Sequence, residues 1–138
     1  MIVYLDTSVA LRILFRQPDT LKEWGDWEEA YASELLGLEA RRTIDRLRLE
    51  SALEDKGVAE VQEELSRLER SLGRIPLTRP VLDRAARPMA TVVKTLDAIH
   101  LASALLFQER RREPLVFATH DHQQAIGARA LGFKCLGV

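Results

Sequence analysis

The sequence predicts an α/β fold, a three-layer α/β/α sandwich around a short, mostly parallel sheet. Three observations carry that prediction. Short apolar runs of strand type, with Ile2-Val3-Tyr4-Leu5 and Leu115 to Ala118 the clearest, alternate with stretches of helical periodicity in the order β-α-β-α-α-β-α-α-β-α-β. That alternation is the pattern of parallel strands joined by helical crossovers. An acid stands just beyond each of those two strands, at Asp6 and Asp121, where the next helix begins, and a third, Asp97, opens the strongly apolar helix that starts near Thr95. In a parallel sheet all helix starts lie along one edge, where open α/β sheets bind ligands, so the three carboxylates are expected to be neighbours.

Taken in order, residues 2 to 5 form the first strand, and Val9, Leu11, Ile13, Leu14 and Phe15 continue as a helix capped by Asp6-Thr7-Ser8. Residues 20 to 29 carry Trp24 and Trp27 and are expected to form a short helix broken or bent at Gly25, followed by a brief strand near Tyr31-Ala32. Ser33 can cap the next helix, which holds Leu35, Leu38, Arg42 and Ile44 and runs towards Leu49. A second helix from Val58 to about Leu72 places Val61, Leu65, Leu68 and Leu72 at spacings of four, three and four. With Asp55-Lys56-Gly57 as the turn, the two make a helical hairpin over about 34–72. Arg74 to Leu77 reads as a short strand. Pro80 starts a helix through Ala86 that Pro88 ends, and the Asp97 helix stops in the charged turn before Pro114. After the strand at Leu115 to Ala118, a helix from Gln123 to Leu131 is closed by Gly132, and Phe133 to Leu136 is the last strand. One domain spanning 1–138 is expected, since 138 residues suffice to bury a core without staples.

Composition narrows the function. A single cysteine, Cys135, excludes an internal disulfide and a thiolate metal cage, and fits a reducing cytoplasm. The first residues, Met1 to Asp6, show no basic leader, and no apolar stretch approaches a membrane-spanning length, so neither export nor membrane insertion is expected. With 20 basic and 21 acidic residues the net charge is −1, so contact with nucleic acid has to be local. Arginine supplies most of the cations, which suits bidentate phosphate contact, although a nucleotide bias in the genome gives the same excess.

Each of Asp6, Asp97 and Asp121, taken singly, reads as a helix cap, because Asp accepts an orphan backbone N–H and complements the dipole. Taken together they read as a site, since Thr7, Ser8 and Thr95 are also able to cap. Glu39, in mid-helix beside Leu38, is the fourth acid; spacing alone leaves it equally an ion-pair partner of Arg42. Two carboxylates about 4 Å apart repel by roughly 4 kcal/mol at an effective dielectric near 20, so a cluster of four needs a counter-charge. All-oxygen ligands select hard ions, Mg²⁺ or Mn²⁺, and such an ion generates a hydroxide nucleophile and stabilises a leaving oxygen. Phosphodiester hydrolysis is the chemistry that fits.

Val3-Tyr4-Leu5-Asp6-Thr7-Ser8, Ser33-Glu34-Leu35-Leu36-Gly37-Leu38-Glu39, Leu96-Asp97-Ala98-Ile99-His100-Leu101-Ala102, Phe117-Ala118-Thr119-His120-Asp121 and Ala130-Leu131-Gly132-Phe133 together resemble the motifs of the PIN domain family, and in particular of its VapC-type toxins. The likeness spans essentially the whole chain, and its Leu-Asp-Ala-Ile-His-Leu-Ala segment is the most specific part. The resemblance implies a PIN-like sandwich and a Mg²⁺- or Mn²⁺-dependent endoribonuclease. Asp6, Glu39, Asp97 and Asp121 would be its metal-site acids, with Thr119, or Thr7 or Ser8, orienting water or a ligand. It also implies an RNA substrate, a homodimer and a cognate antitoxin protein. In one respect the chain departs: some relatives carry a further acid after the fourth motif, where this one has His122-Gln123-Gln124, which puts a second metal site in question.

Other residues invite a functional reading beside a plainer one. His100 reads as a core or interface hydrogen-bonder before a catalytic base. His120 and His122 flank Asp121 but point apart, so surface histidines are the simpler account. Trp24, Trp27 and Tyr31 either stack on bases or cover the core. Leu47, Leu49, Val61, Leu65 and Leu68 either receive an antitoxin segment or pack on the sheet. Arg41, Arg42, Arg87 and Lys94 either meet phosphates or neutralise nearby acids. Two rival functions remain: a non-catalytic PIN-fold protein-binding module with its acids as caps, and a phosphatase or receiver domain accepting phosphate on Asp6. The second is weakened by Ser8, which stands where a phosphatase needs another acid.

Overall fold

The computed structural model describes residues 1–138. Five strands, β1 (Ile2–Leu5), β2 (Glu29–Ser33), β3 (Gly73–Ile75), β4 (Val116–Ala118) and β5 (Lys134–Leu136), alternate with six helices. These are α1 (Thr7–Leu14), α2 (Leu35–Leu49), α3 (Asp55–Ser71), α4 (Arg79–Ala85), α5 (Thr95–Arg111) and α6 (His122–Ala130). The strands form one sheet in the order β3-β2-β1-β4-β5, and every pairing is parallel. The expected alternation is therefore the observed one, with β1 at the centre and the acid-bearing loops after β1 and β4 side by side.

Period-two burial along β1 divides the core into two sides. Tyr4 points to one face, where it packs with Phe117, Leu101, Ala104 and Leu105 of α5, and Ala128 of α6. Its ring stacks on Phe117 at 5.1 Å, and Phe117 meets Phe133 at 5.8 Å. Val3 and Leu5 point to the other face, against Val9 of α1. There Ala10, Leu14, Leu36, Ala40, Ile44, Val61 and Leu65 join α1, α2 and α3 over Ala32. Val61 and Leu65 of the helical hairpin are thus spent on the core, which is the plainer of the two expectations; Leu38 and Leu49 stay exposed. No helix is long and apolar enough to cross a membrane.

Two expectations are corrected. Residues 20 to 28 form turns and bends, not a helix, and Glu29 already belongs to β2. Gly25 takes a left-handed conformation (φ 87°) that breaks helical hydrogen bonding, and the edge-to-face pair Trp24 and Trp27 holds the segment against the Val3–Leu5 face of the core. Nor is Asp55-Lys56-Gly57 the turn of the hairpin: it is the first turn of α3, where Asp55 complements the helix dipole. The turn comes earlier. Ser51 adopts φ 59° and lets the Ala52 N–H reach back to the Leu47 carbonyl at 2.8 Å, a closure of the Schellman type.

β3 owes its place to Gly73, which pairs in register with Tyr31 of β2. A Cβ there would collide with the Tyr31 ring. The ring cannot yield cheaply: it lies 4.3 Å from Phe107, and its hydroxyl donates to Glu29, which Arg111 also holds. Gly73→Ala is expected to cost about 1–3 kcal/mol, as other overpacked sites do, read as a lower midpoint in urea.

Candidate active site

The site is built where β1 and β4 end. The Asp6 N–H donates to the Ala118 carbonyl at 2.9 Å, so the loop after β1 is tied to the end of β4. Asp6 caps α1: its Oδ2 accepts from the Ser8 N–H at 3.0 Å and from the Ser8 hydroxyl at 2.5 Å. Asp121 caps α6, its Oδ1 accepting from the Gln124 N–H at 2.9 Å. Both residues do act as caps, and capping also brings their two helix starts to one edge of the sheet. Asp97 is different. It lies in the first turn of α5, after a Lys94 that makes no side-chain capping bond.

Thr119 and Gln124 knit the acids together. The Thr119 hydroxyl is fully buried, 2.7 Å from Gln124 Oε1 and 3.2 Å from Asp6 Oδ2, and it accepts the Asp121 N–H at 3.0 Å. Gln124 Nε2 donates to Asp6 Oδ1 at 3.1 Å and reaches Asp97 Oδ1 at 3.4 Å. One amide therefore spans two of the carboxylates.

Glu39 enters from α2. Its Oε1 accepts from the Thr7 hydroxyl at 2.8 Å and stands 2.6 Å from His100 Nε2. The alternative pairing with Arg42 is not made, because Arg42 binds Asp45 at 3.2 Å, one turn further along the exposed face. His100 is fully buried between Tyr4, whose hydroxyl is 2.7 Å from Nδ1, and Glu39, with Asp6 Oδ1 3.6 Å away. Burial works against its charge, yet the Glu39 hydrogen bond and the nearby Asp6, Glu39 and Asp97 charges outweigh it and raise the imidazole above its ordinary value. Nε2 thus bonds Glu39 and Nδ1 the Tyr4 hydroxyl. Asp97 is raised as well, first by burial and then by the Asp121, Asp6 and Glu39 charges.

His100 is the buried hydrogen-bonder the sequence suggested, though its partners were not foreseen, and the part of Gln124 was not disclosed at all. Each lies three positions after an acid on its own helix, Asp97 and Asp121, and so on the same face; that spacing was the available signal. Asp121-x-x-Gln124 even has the form of a capping box. Here, however, Thr119 satisfies the Asp121 N–H, and the Gln124 amide is released towards the acids. The remaining candidates take the plainer roles. His120 Nδ1 bonds the Gly137 carbonyl at 2.7 Å, Arg41 pairs with Glu69 at 2.6 Å, and Tyr31 is held by Glu29 and Arg111.

The donor set is oxygen-rich and negatively charged, with one buried imidazole against four carboxylates. No three acidic, histidine or cysteine side chains stand close enough to enclose an ion by themselves. A hard divalent ion suits these residues nonetheless, because Mg²⁺ keeps several waters and uses one or two carboxylates.

Acids from four segments thus stand near the carboxyl edge of a short parallel α/β sheet. The model of the PIN domain matches residues 3–128, and the chain belongs to that family. It is 33% identical to a protein named Ribonuclease VapC47 of Mycobacterium tuberculosis over 95% of this chain and 93% of the relative. Among solved structures it resembles the FitAcB crystal structure from Neisseria gonorrhoeae (TM-score 0.67, 21% identity, 96% and 95% of the two chains). It also resembles VapBC2 from Rickettsia felis bound to a promoter DNA fragment (TM-score 0.68, 12% identity, 98% and 97%).

Proposed function

We propose that this chain is an endoribonuclease that hydrolyses RNA phosphodiester bonds with Mg²⁺ or Mn²⁺, and that it is the toxin of a toxin–antitoxin pair. The observation that carries the reading is the convergence of Asp6, Glu39, Asp97 and Asp121 on one sheet edge, around buried Thr119, in a PIN domain chain that shares a third of its residues with a ribonuclease. Asp6 and Asp97 are the central metal-site acids, with Asp121 at the solvent side and Glu39 behind. A divalent ion bound there would acidify a water and offset charge on the scissile phosphate.

The protein's own groups supply the rest. Ser8, Thr119 and Gln124 hold Asp6 from both of its oxygens and fix the rotamer it presents. Thr7 and His100 anchor Glu39, so that it is a positioned carboxylate able to take a proton from water. Asp121 keeps Oδ1 on its helix start and has Oδ2 for other work. The partner proposal, an antitoxin protein on a homodimeric toxin, is supported by the toxin–antitoxin complexes among the structural neighbours.

Incubating the purified chain with folded RNA and Mn²⁺ tests the reading. Cleavage is expected for the wild type, to be abolished by EDTA, restored by added Mn²⁺, and lost in Asp6→Asn. Cleavage that persists in EDTA, or at full rate in Asp6→Asn, overturns the mechanism.

A further inference from the structure

We infer that Gln124 is a positioning residue of this site: its side-chain amide, anchored on Thr119, sets how the Asp6 and Asp97 carboxylates face the cation. The inference rests on the nuclease reading above and adds a residue to it.

Gln124 is 1% exposed, on a helix whose other buried positions, Ala125, Gly127 and Ala128, are small and apolar. An amide in such a place costs free energy unless its donors and acceptor are all used. They are, and every bond goes to the site. Oε1 accepts from Thr119 at 2.7 Å, one Nε2 hydrogen goes to Asp6 Oδ1 at 3.1 Å, and the other is aimed at Asp97 Oδ1 at 3.4 Å. Local structure does not require it: Asp121 already caps α6, and Thr119 has Asp6 Oδ2 within reach as an alternative acceptor.

The choice of an amide is chemically specific. A Lys or Arg would neutralise the two acids and compete with the metal, whereas a Glu would add a further charge to an already repelling group. A neutral double donor attracts both carboxylates and leaves their charge intact. It occupies one oxygen of each and leaves the other oxygen of Asp97 without a protein donor. Gln124 thus does for the two acids what outer partners do for metal ligands generally, fixing orientation without binding the ion.

Gln124→Met, unbranched and of similar length, removes the donors and keeps the volume; Gln124→Glu keeps the shape and adds charge. Both are compared with wild type by Mn²⁺ calorimetry and steady-state RNA cleavage. For Gln124→Met the expected result is about 10-fold weaker Mn²⁺ binding and a 10- to 100-fold lower kcat, typical of lost outer partners, with KM for RNA within about twofold. For Gln124→Glu, the metal-free protein is expected to melt lower than wild type and to bind Mn²⁺ more tightly. Gln124→Met with wild-type Mn²⁺ affinity and kcat overturns the inference; if that variant does not fold, Gln124→Glu with unchanged or weaker Mn²⁺ affinity does so. A wild type that cleaves and binds Mn²⁺ beside an indifferent variant removes only the role of Gln124. A wild type that takes up no Mn²⁺ removes the nuclease reading beneath it.

Discussion

Asp97→Asn is expected to separate activity from stability, lowering RNA cleavage on the order of a thousandfold, about 4 kcal/mol of barrier, while raising the melting temperature of the metal-free protein. Both effects follow from one fact. Asp97 is half-buried facing the Asp121, Asp6 and Glu39 charges, and it is raised from its usual value, so ionising it opposes folding. The sign is definite. A carboxyl that holds its proton more tightly when folded costs no stability below its unfolded value near 3.8; the cost grows as pH climbs through the folded value and is complete above it. At pH 7, well above the unfolded value, the wild type therefore carries this cost and the Asn variant none. Thermal melts of both proteins at pH 7 and at pH 3.5 check this, the gain being expected only at the higher pH. An Asn variant that melts below wild type at pH 7, with cleavage intact, removes Asp97 from the site.

Divalent metal is expected to reverse the same repulsion. Saturation at a hundred times the dissociation constant stabilises a protein by about 2.7 kcal/mol, which for a chain of this size is a rise of roughly 10 °C. The rise is expected at pH 7 and is expected to fade towards pH 4, as protons occupy the carboxylates that would hold the ion. Without metal, His100 adds a second trend. Its folded value lies above 6.5, so its contribution to stability is full below that pH and is lost as pH rises through the folded value. The metal-free protein should thus lose stability from acid to neutral pH, and Mn²⁺ should restore it. A melt unchanged by millimolar Mn²⁺ at pH 7 in the wild type, or shifted equally in Asp97→Asn, contradicts this account.

The fold was legible because its signals are local. Short β-branched and aromatic runs such as Ile2 to Leu5, the period of Val61 and Leu65, and Pro80 near a helix start each report on their own neighbourhood. Where a distant contact decided the outcome, local signals failed. Trp24 and Trp27 suggested a helix, yet their packing on the core and the left-handed Gly25 made turns. The hairpin turn moved because Ser51, with nothing in its type to announce it, took the left-handed conformation that Gly57 had suggested. The acids were visible at strand ends and helix starts, but not their supports. His100 acquires meaning only beside Tyr4 and Glu39, 96 and 61 residues away, and Gln124 only beside Asp6, 118 residues away. Glu39 shows the limit well: its helix offered Arg42, and the fold gave it Thr7 and His100.

Because the central strand pairs in parallel with β4, Val3 against Val116 and Leu5 against Ala118, two segments more than a hundred residues apart have to meet before that sheet edge exists. Closing so long a loop costs chain entropy before the contact repays it, and joining such remote segments is slow. The acid-bearing loops after β1 and β4 are therefore expected to come together late in refolding, after the local helices have formed.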